Sequence, residues 1–314
     1  MKRILKNTWF IAAIYRYSQR VYYQKILGAK RQSKRIFKEK FGYTLDLDNP
    51  QTFVEKLNAL KLYYASDEQA ILAGDKIGLH QYIAQKGLES LAVPMITSVS
   101  SIKEIDWEYL PNQFVIKKSN ASGFNLIVKD KQSLSIEEVN QTLKAWQMYP
   151  FGLTTGEFHY EKMIGEFIIE EYIAEIANDW KIFYCNGSAQ LIEFYVWDEA
   201  EVLVGHKKTV YITADITGKI LEVDYDEGID EQTIVKYQQM EVIELPSEFA
   251  KMLTYGEQLA VDFPFVRVDF FIGDGRLYLG ELTFTPGAGL DEYTAYVNQW
   301  MGEKISLSVG NRSA

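Results

Sequence analysis

The sequence predicts a mixed α and β chain, α+β or α/β rather than a pure sandwich, and three observations predict it. Eight short apolar runs rich in β-branched and aromatic residues are spread over the 314 residues, helix-period segments lie between them, and Gly273-Asp274-Gly275 joins two of the runs as a hairpin signal. No repeat or low-complexity segment interrupts the pattern.

Taken in chain order, residues 4–27 read as one helix. Ile4, Ile11, Ile14, Val21 and Ile26 interleave with basic residues, and neither Pro nor Gly occurs before Gly28. Asp46-Leu47-Asp48-Asn49-Pro50 is a turn cluster. Thr52 to Ala65 reads as a helix with Phe53, Leu57, Leu60 and Tyr64 on one face. A second helix, Lys76 to Gln85, leads through Gly87 to a strand-like Leu91 to Pro94. Strands are predicted at Phe114 to Lys117, Asn125 to Lys129, Phe167 to Ile173, Trp180 to Cys185, Ala189 to Val196, Thr209 to Thr213, Val266 to Ile272 and Leu277 to Thr283. Helices are predicted near Ile136 to Gln147 and Ser247 to Leu259.

Charge divides the chain. Residues 1–40 hold twelve basic residues against the single acidic Glu39, whereas the remainder holds 21 basic and 42 acidic residues. A head of +11 precedes a body of −21, and such a body is unsuited to binding a polyphosphate backbone in general. With 47% apolar and 14% aromatic residues the body is able to bury a sizeable core. The single Cys185 excludes an internal disulfide framework and a thiolate-built zinc site, which points to a reducing compartment. The apolar run Trp9 to Tyr15 is far shorter than the ~20 residues needed to cross a bilayer. Arg16 follows it directly and no cleavage pattern appears, so a signal peptide is not expected. The head, with Trp9, Tyr15, Tyr17, Tyr22 and Tyr23, suits either docking on the acidic body or contact with an anionic leaflet or a partner.

The most informative stretch is Phe265 to Thr283. Alternation places Arg267, Asp269 and Phe271 on one face of the first strand, and Leu279, Glu281 and Thr283 on one face of the second. A loop with an odd number of residues sets Asp269 opposite Glu281, while a two-residue loop sends Glu281 to the other face. Two opposed carboxylates repel, and a hard divalent cation is a natural compensation. Pairing of Asp269 with Arg267 is the alternative reading of the residues alone.

Val266-Arg267-Val268-Asp269, a hairpin, then Gly280-Glu281-Leu282-Thr283-Phe284-Thr285-Pro286-Gly287 resembles the C-terminal metal-binding segment of ATP-grasp proteins, closely so in the branch named for teichuronopeptide biosynthesis. The resemblance runs from about Asn49 to Leu307. It implies an α+β ATP-grasp fold, two α+β subdomains gripping ATP, preceded by a basic helical extension. The implied divisions are 1–45 for the extension, 46–100 for a pre-grasp region, 101–175 for a small lobe with phosphate flap and hinge, 176–307 for the C-terminal lobe, and 308–314 for a tail.

The resemblance also implies roles for residues. Asp269 and Glu281 would ligate Mg²⁺, with the Thr283 hydroxyl as a weaker third ligand where the superfamily often has Asn, and Arg267 would meet phosphate or the reacting carboxylate. Lys117, at the end of an apolar strand before Ser119-Asn120-Ala121-Ser122-Gly123, matches the phosphate-contacting lysine of the flap. Ser119, Ser122 and Gly123 would offer groups to phosphate. Lys118 points to the opposite face and is expected in solvent. Glu170 and the backbone at Ile173 would hold adenine, Asp179 ribose, and Lys181 phosphate or substrate. His80 stands where a basic residue usually reaches the phosphates, and a neutral His is a weaker anchor. His159 and His206 receive no role.

The implied activity is an ATP- and Mg²⁺-dependent carboxylate–amine ligase of the ADP-forming, acyl-phosphate kind, acting on a cell-surface polysaccharide or its precursor and forming an amide between a uronic-acid or peptide carboxylate and an amino acid. Its expected setting is the cytoplasm, at the inner face of the membrane if the head binds there. Two other readings stay open: a nucleotide-binding pseudoenzyme that acts as a partner in polysaccharide assembly, and a glycosyltransferase using Asp46-Leu47-Asp48 or Asp224-Tyr225-Asp226.

Overall fold

The computed structural model describes residues 21–22, 28–174, 176, 179–197 and 209–307. The helix expected over 4–27, His206 and the 308–314 tail thus lie almost wholly outside the described residues. The described helices are α1 (Ala29–Phe41), α2 (Phe53–Tyr64), α3 (Glu68–Gly74), α4 (Lys76–Gln85), α5 (Ile136–Met148), α6 (Phe151–Thr155), α7 (Glu231–Gln238), α8 (Phe249–Ala260) and α9 (Ala295–Lys304). The strands are β1 (Met95–Val99), β2 (Phe114–Lys118), β3 (Asn125–Val128), β4 (Phe167–Glu171), β5 (Asp179–Cys185), β6 (Ser188–Trp197), β7 (Thr209–Asp215), β8 (Ile220–Tyr225), β9 (Phe265–Gly273) and β10 (Arg276–Thr283).

Two antiparallel sheets result. The smaller has the order β1-β4-β2-β3 and the larger β10-β9-β5-β6-β7-β8. In the smaller, Phe114, Ile116 and Val128 face α5 and bury Val139 and Leu143 beneath them. The other face, carrying Val115, Lys117 and Glu170, is left for the cleft. Helix α8 crosses one face of the larger sheet against β5, β6 and β9. Its packing is close: the Tyr184 hydroxyl donates to the Met252 carbonyl at 3.1 Å. A Cβ on Gly256 would stand 1.9 Å from that hydroxyl, so only glycine fits there. On the opposite face α2 covers one end of the sheet, where Phe53 meets Phe183 and Phe265 with centroids 6.1 and 5.4 Å apart. The rest of that face stays open and polar.

Several boundaries differ from the sequence reading, each for a local reason. Leu91 to Pro94 is not a strand: Glu89–Leu91 forms a 3₁₀ turn and the strand starts at Met95. Pro94 has no N–H to give a ladder, and it contributes only its carbonyl, which accepts from the Glu171 N–H at 2.9 Å. Helices α3, α6, α7 and α9 and strand β8 were not foreseen, and α1 falls within the stretch expected as a helical extension, 1–45. Three of these helices are short or weakly patterned, but their caps are readable: Asp67, Asp230 and Thr294 each accept from a backbone N–H of the first turn. Helix α1 docks through Phe37, Gln32 and Ser33 while Lys30, Arg31, Arg35 and Lys38 stay exposed.

The β9–β10 hairpin resolves the register question in an unexpected way. Its loop has two residues, Asp274 and Gly275, with φ of 50° and 71°, the two positive angles of a type I′ turn. Continued without interruption, that ladder would set Gly280 against Asp269 and turn Glu281 to the back face. A bulge between Leu279 and Glu281 inserts one residue and restores the Glu281–Asp269 pair. Of the two loop lengths left open, the two-residue one is present, and the opposed carboxylates come from the bulge. A Cβ on Gly280 would lie 3.2 Å from the Asp269 carbonyl oxygen, which favours glycine at the bulge. Gly280→Val is expected to lower the stability by about 1–2 kcal/mol and to weaken Mg²⁺-dependent nucleotide binding, as read by urea denaturation and calorimetry of one preparation.

Candidate active site

Between the two sheets lies a cleft of about 350 Å³, lined by Lys117, Ser122 and Gly123 from the small-sheet side and by Asp179, Lys181, Asp269 and Glu281 from the large sheet. Lys76, at the start of α4, stands between them. Cross-strand pairing explains why the large-sheet residues meet. Glu281, Asp269, Lys181, Glu193, Thr213 and Glu222 are successive partners across all six strands, one polar row on the open face.

The charges in this row are interlocked. Arg267 donates from Nε to Asp269 Oδ1 and from Nη2 to Asp269 Oδ2, both at 2.7 Å, a bidentate pair. Lys181 reaches Asp179 at 2.5 Å and Asp269 at 3.1 Å. Burial opposes the Lys181 charge, but Asp269 and Asp179 outweigh it and hold the ammonium above its ordinary value. Burial likewise pushes Glu281 up, and Lys76, Arg267 and Lys181 together draw it down to about 2. Glu281 is therefore a carboxylate at any pH near neutral. Its side chain is 31% exposed, its Oε1 accepts from the Thr283 hydroxyl at 2.8 Å, and its Oε2 lies 3.9 Å from Lys76 Nζ.

Asp269 and Glu281 present hard oxygen donors side by side in one cleft, the set that suits Mg²⁺ when nucleotide phosphates and water complete the octahedron. Among the described residues no group of three or more His, Cys, Asp and Glu side chains is placed to hold a metal ion. Thr283 lies beside the pair. Its hydroxyl accepts from Arg267 Nη2 at 3.3 Å and donates to Glu281, so it orients the carboxylate.

The nucleotide side is also rearranged. Lys117 Nζ and Glu170 Oε2 stand 2.5 Å apart, which joins two groups that the sequence reading assigned to opposite ends of ATP. Ser122 and Gly123 line the cleft, and Gly123 has the positive φ of 76° that glycine tolerates. Ile173 is buried against Val93 and Tyr278. Ser119 does not face the cleft: it is fully buried, and its Oγ donates to Asp75 Oδ2 at 2.8 Å while Asp75 Oδ1 caps α4 through the Ile77 and Gly78 N–H groups. Ser119 thus locks the flap to the helix. Ser119→Ala is expected to cost about 1–2 kcal/mol by leaving a buried acceptor unpaired, with nucleotide affinity unchanged in a calorimetric titration.

Lys118 is not in solvent. It is 4% exposed and donates to the Trp146 and Tyr149 carbonyls at 2.8 and 3.0 Å, neutralising the C-terminus of α5. His80 lines a narrow slot with Leu79, Ile83, Val93, Leu279 and Glu170. Burial lowers its pKa, with Glu170 only partly opposing, so the imidazole is neutral at pH 7. His159 is buried and burial lowers it to about 3. Neither Asp-Xaa-Asp stretch is set up as a metal pair: Asp46 accepts from its own turn, and Asp226 accepts from the Thr209 N–H and the Tyr211 hydroxyl.

Lys76 is the residue that sequence reasoning passed over. Its Nζ donates to the Ala121 carbonyl at 2.7 Å, tying flap to helix, and faces Glu281. The signal was available, because Asp75 as N-cap places the next side chain on the first turn, beside the flap. Asn125 and Phe271 also line the cleft. They follow from register: Asn125 pairs with Lys117, and Phe271 with Asp179.

A family model described as "TupA-like ATPgrasp" matches residues 55–306. Among solved structures, a D-alanine–D-alanine ligase from Bacillus anthracis is 17% identical over 70% of this chain and 59% of its own, with a TM-score of 0.40. An N5-carboxyaminoimidazole synthetase from Staphylococcus aureus complexed with ADP is 15% identical over 75% and 53%, with a TM-score of 0.40. An L-amino acid ligase from Bacillus licheniformis is 12% identical over 83% and 54%, with a TM-score of 0.41. The chain spans a little over half the length of these structures. No curated protein matches it in sequence.

Proposed function

The chain belongs to the TupA-like ATP-grasp family, and from that premise we propose that it is an ATP- and Mg²⁺-dependent carboxylate–amine ligase of the ADP-forming kind. The observation that carries the reading is the convergence of Lys76, Lys117 and Lys181, from three separate elements, on one cleft that also holds the Asp269–Glu281 pair. A triphosphate needs positioning and charge neutralisation more than covalent help, and this set supplies both.

In that reading Lys117 and Lys76 hold the phosphates from the flap side. Lys181 orients the transferred phosphoryl group, and Arg267 steadies the acid substrate and Asp269. Asp269 and Glu281 would hold Mg²⁺, which would supply charge neutralisation while the γ-phosphoryl group moves from its ADP leaving group to a carboxylate oxygen. The amine nitrogen then attacks the acyl carbon, the C–O bond to phosphate breaks, and inorganic phosphate leaves. No protein nucleophile is needed.

For the acid we propose a uronic-acid or peptide carboxylate of a cell-surface polysaccharide or its precursor, supported by the teichuronopeptide branch that the sequence resembles. The place of work is then the cytoplasmic face of the membrane. No helix among the described residues is long and apolar enough to cross a membrane, and contact would fall to the basic head. Deleting residues 1–40 is expected to abolish sedimentation with anionic liposomes, and unchanged sedimentation would remove this location.

The test of activity is ADP release from ATP and Mg²⁺ with a panel of uronic acids and amino acids. Release that needs both an acid and an amine supports the ligase. Tight nucleotide binding with no release across the panel favours the second reading, a nucleotide-binding pseudoenzyme, which the neutral His80 supports.

A further inference from the structure

Helix α2 turns two polar side chains into the protein. Asn58 and Lys61, three residues apart and so on one face of the helix, are both fully buried. They pack toward the 3₁₀ turn Phe158–Lys162 and the turn Pro286–Gly289 that follows β10. A Cβ on Gly289 would lie 3.1 Å from Asn58 Nδ2 and 3.5 Å from Lys61 Cε. The Lys61 Nζ, the Asn58 Oδ1 and the His159 Nδ1 are buried and have no hydrogen-bond partner among the described residues. Glu157, 4% exposed, accepts from the Thr285 hydroxyl at 2.5 Å. Burial lowers the Lys61 ammonium to about 8, and Glu157 is near enough to oppose that fall.

An ammonium taken out of water without a partner is strongly unfavourable, and a methionine would fill the same space without that penalty. The unpaired groups are complementary. Lys61 only donates, Asn58 Oδ1 and the Glu157 carboxylate accept, and ordered water, which does both, is the molecule suited to join them.

The turn beside them is strained. Gly287, Ala288 and Gly289 have φ of 51°, 56° and 63°, three left-handed residues in succession. Ala288 carries a Cβ in that region, and such a residue persists only where its surroundings hold it. Two bonds from the buried cluster do so: Asn58 Nδ2 donates to the Gly289 carbonyl at 2.7 Å, and the Thr285 hydroxyl donates to Glu157. Thr285 follows two residues after Thr283, the hydroxyl that orients Glu281.

We infer that Lys61, Asn58 and Glu157 form a buried clamp, closed by ordered water, that holds the strained turn after β10 and thereby positions Glu281 for the metal. These are positioning residues, since none of them is among the residues lining the cleft. The effect on the metal rests on the reading of Asp269 and Glu281 as Mg²⁺ ligands; the coupling of Lys61 to Glu157 does not.

The test joins urea denaturation of the full chain with calorimetric titration of ADP, with and without Mg²⁺. Thr285→Val and Glu157→Gln are each expected to cut the gain in ADP affinity that Mg²⁺ brings by about fivefold or more, with Mg²⁺-free affinity held within about twofold. Thr285→Ser, which keeps the hydroxyl, is expected to retain the gain. In urea, Lys61→Met and Glu157→Gln should each lower the midpoint. The double variant should lie no lower than either single one, because both charges leave together. Losses that simply add in the double variant overturn the clamp, and so does equal loss of the Mg²⁺ effect in Thr285→Ser and Thr285→Val. A Mg²⁺ effect as large in Thr285→Val and Glu157→Gln as in the wild type overturns the positioning role alone. A wild-type chain that binds ADP with no Mg²⁺ effect removes the metal reading, and the positioning role with it.

Discussion

Glu281→Gln is expected to lower acid- and amine-dependent ADP release by about 10²–10³-fold, with the fold intact by circular dichroism. The reason is that Glu281 is the more accessible of the two opposed carboxylates. Asp269 already accepts two bonds from Arg267 and one from Lys181, whereas Glu281 Oε2 has only Lys76 at 3.9 Å. Glutamine keeps the shape and loses the charge, so Mg²⁺ loses its freer anionic ligand. Raising Mg²⁺ should recover part of the rate. Full activity at the original Mg²⁺ concentration would refute the assignment of Glu281.

Arg267→Met is expected to cost more in stability than any other change in the cleft. Arg267 is 8% exposed and is the main partner of Asp269, with Glu193 and Glu281 within 4.0 and 3.6 Å. Removing it leaves buried carboxylates without their cation, a loss of about 3–5 kcal/mol, and activity should fall below detection. Arg267→Lys should restore little, because a single ammonium does not reproduce the fork on Asp269. Urea denaturation at neutral pH measures the first effect. A change below about 1 kcal/mol would mean that Lys181 alone neutralises the row.

How far these residues were legible in the sequence differs from one to another. The alternation in β9 and β10 put Arg267 and Asp269 on one face correctly. The facing of Glu281 stayed open with the loop length, because a Gly-Asp-Gly sequence does not reveal where pairing ends or that Gly280 carries a bulge. Ser119 and Lys118 were misread for a common reason. Each is a polar residue at a strand end whose partner, Asp75 or the α5 carbonyls, lies tens of residues away in sequence. Helices α7 and α9 escaped notice because their apolar patterns are weak and their stability comes from caps and docking. The polar row of the large sheet was invisible for another reason: it joins β6, β7 and β8 with β5, and only the sheet order brings Glu193, Thr213 and Glu222 into line with Lys181.

Phosphoryl transfer to a carboxylate is the step proposed for the cleft of Asp269 and Glu281. The most direct test uses whichever acid supports ADP release, with its carboxylate labelled by ¹⁸O, in the presence of ATP, Mg²⁺ and the amine. Mass spectrometry of the released phosphate should find one ¹⁸O atom per turnover, carried from the acid when the C–O bond of the acyl phosphate breaks. Phosphate free of ¹⁸O, released at the same rate as ADP, would contradict the account.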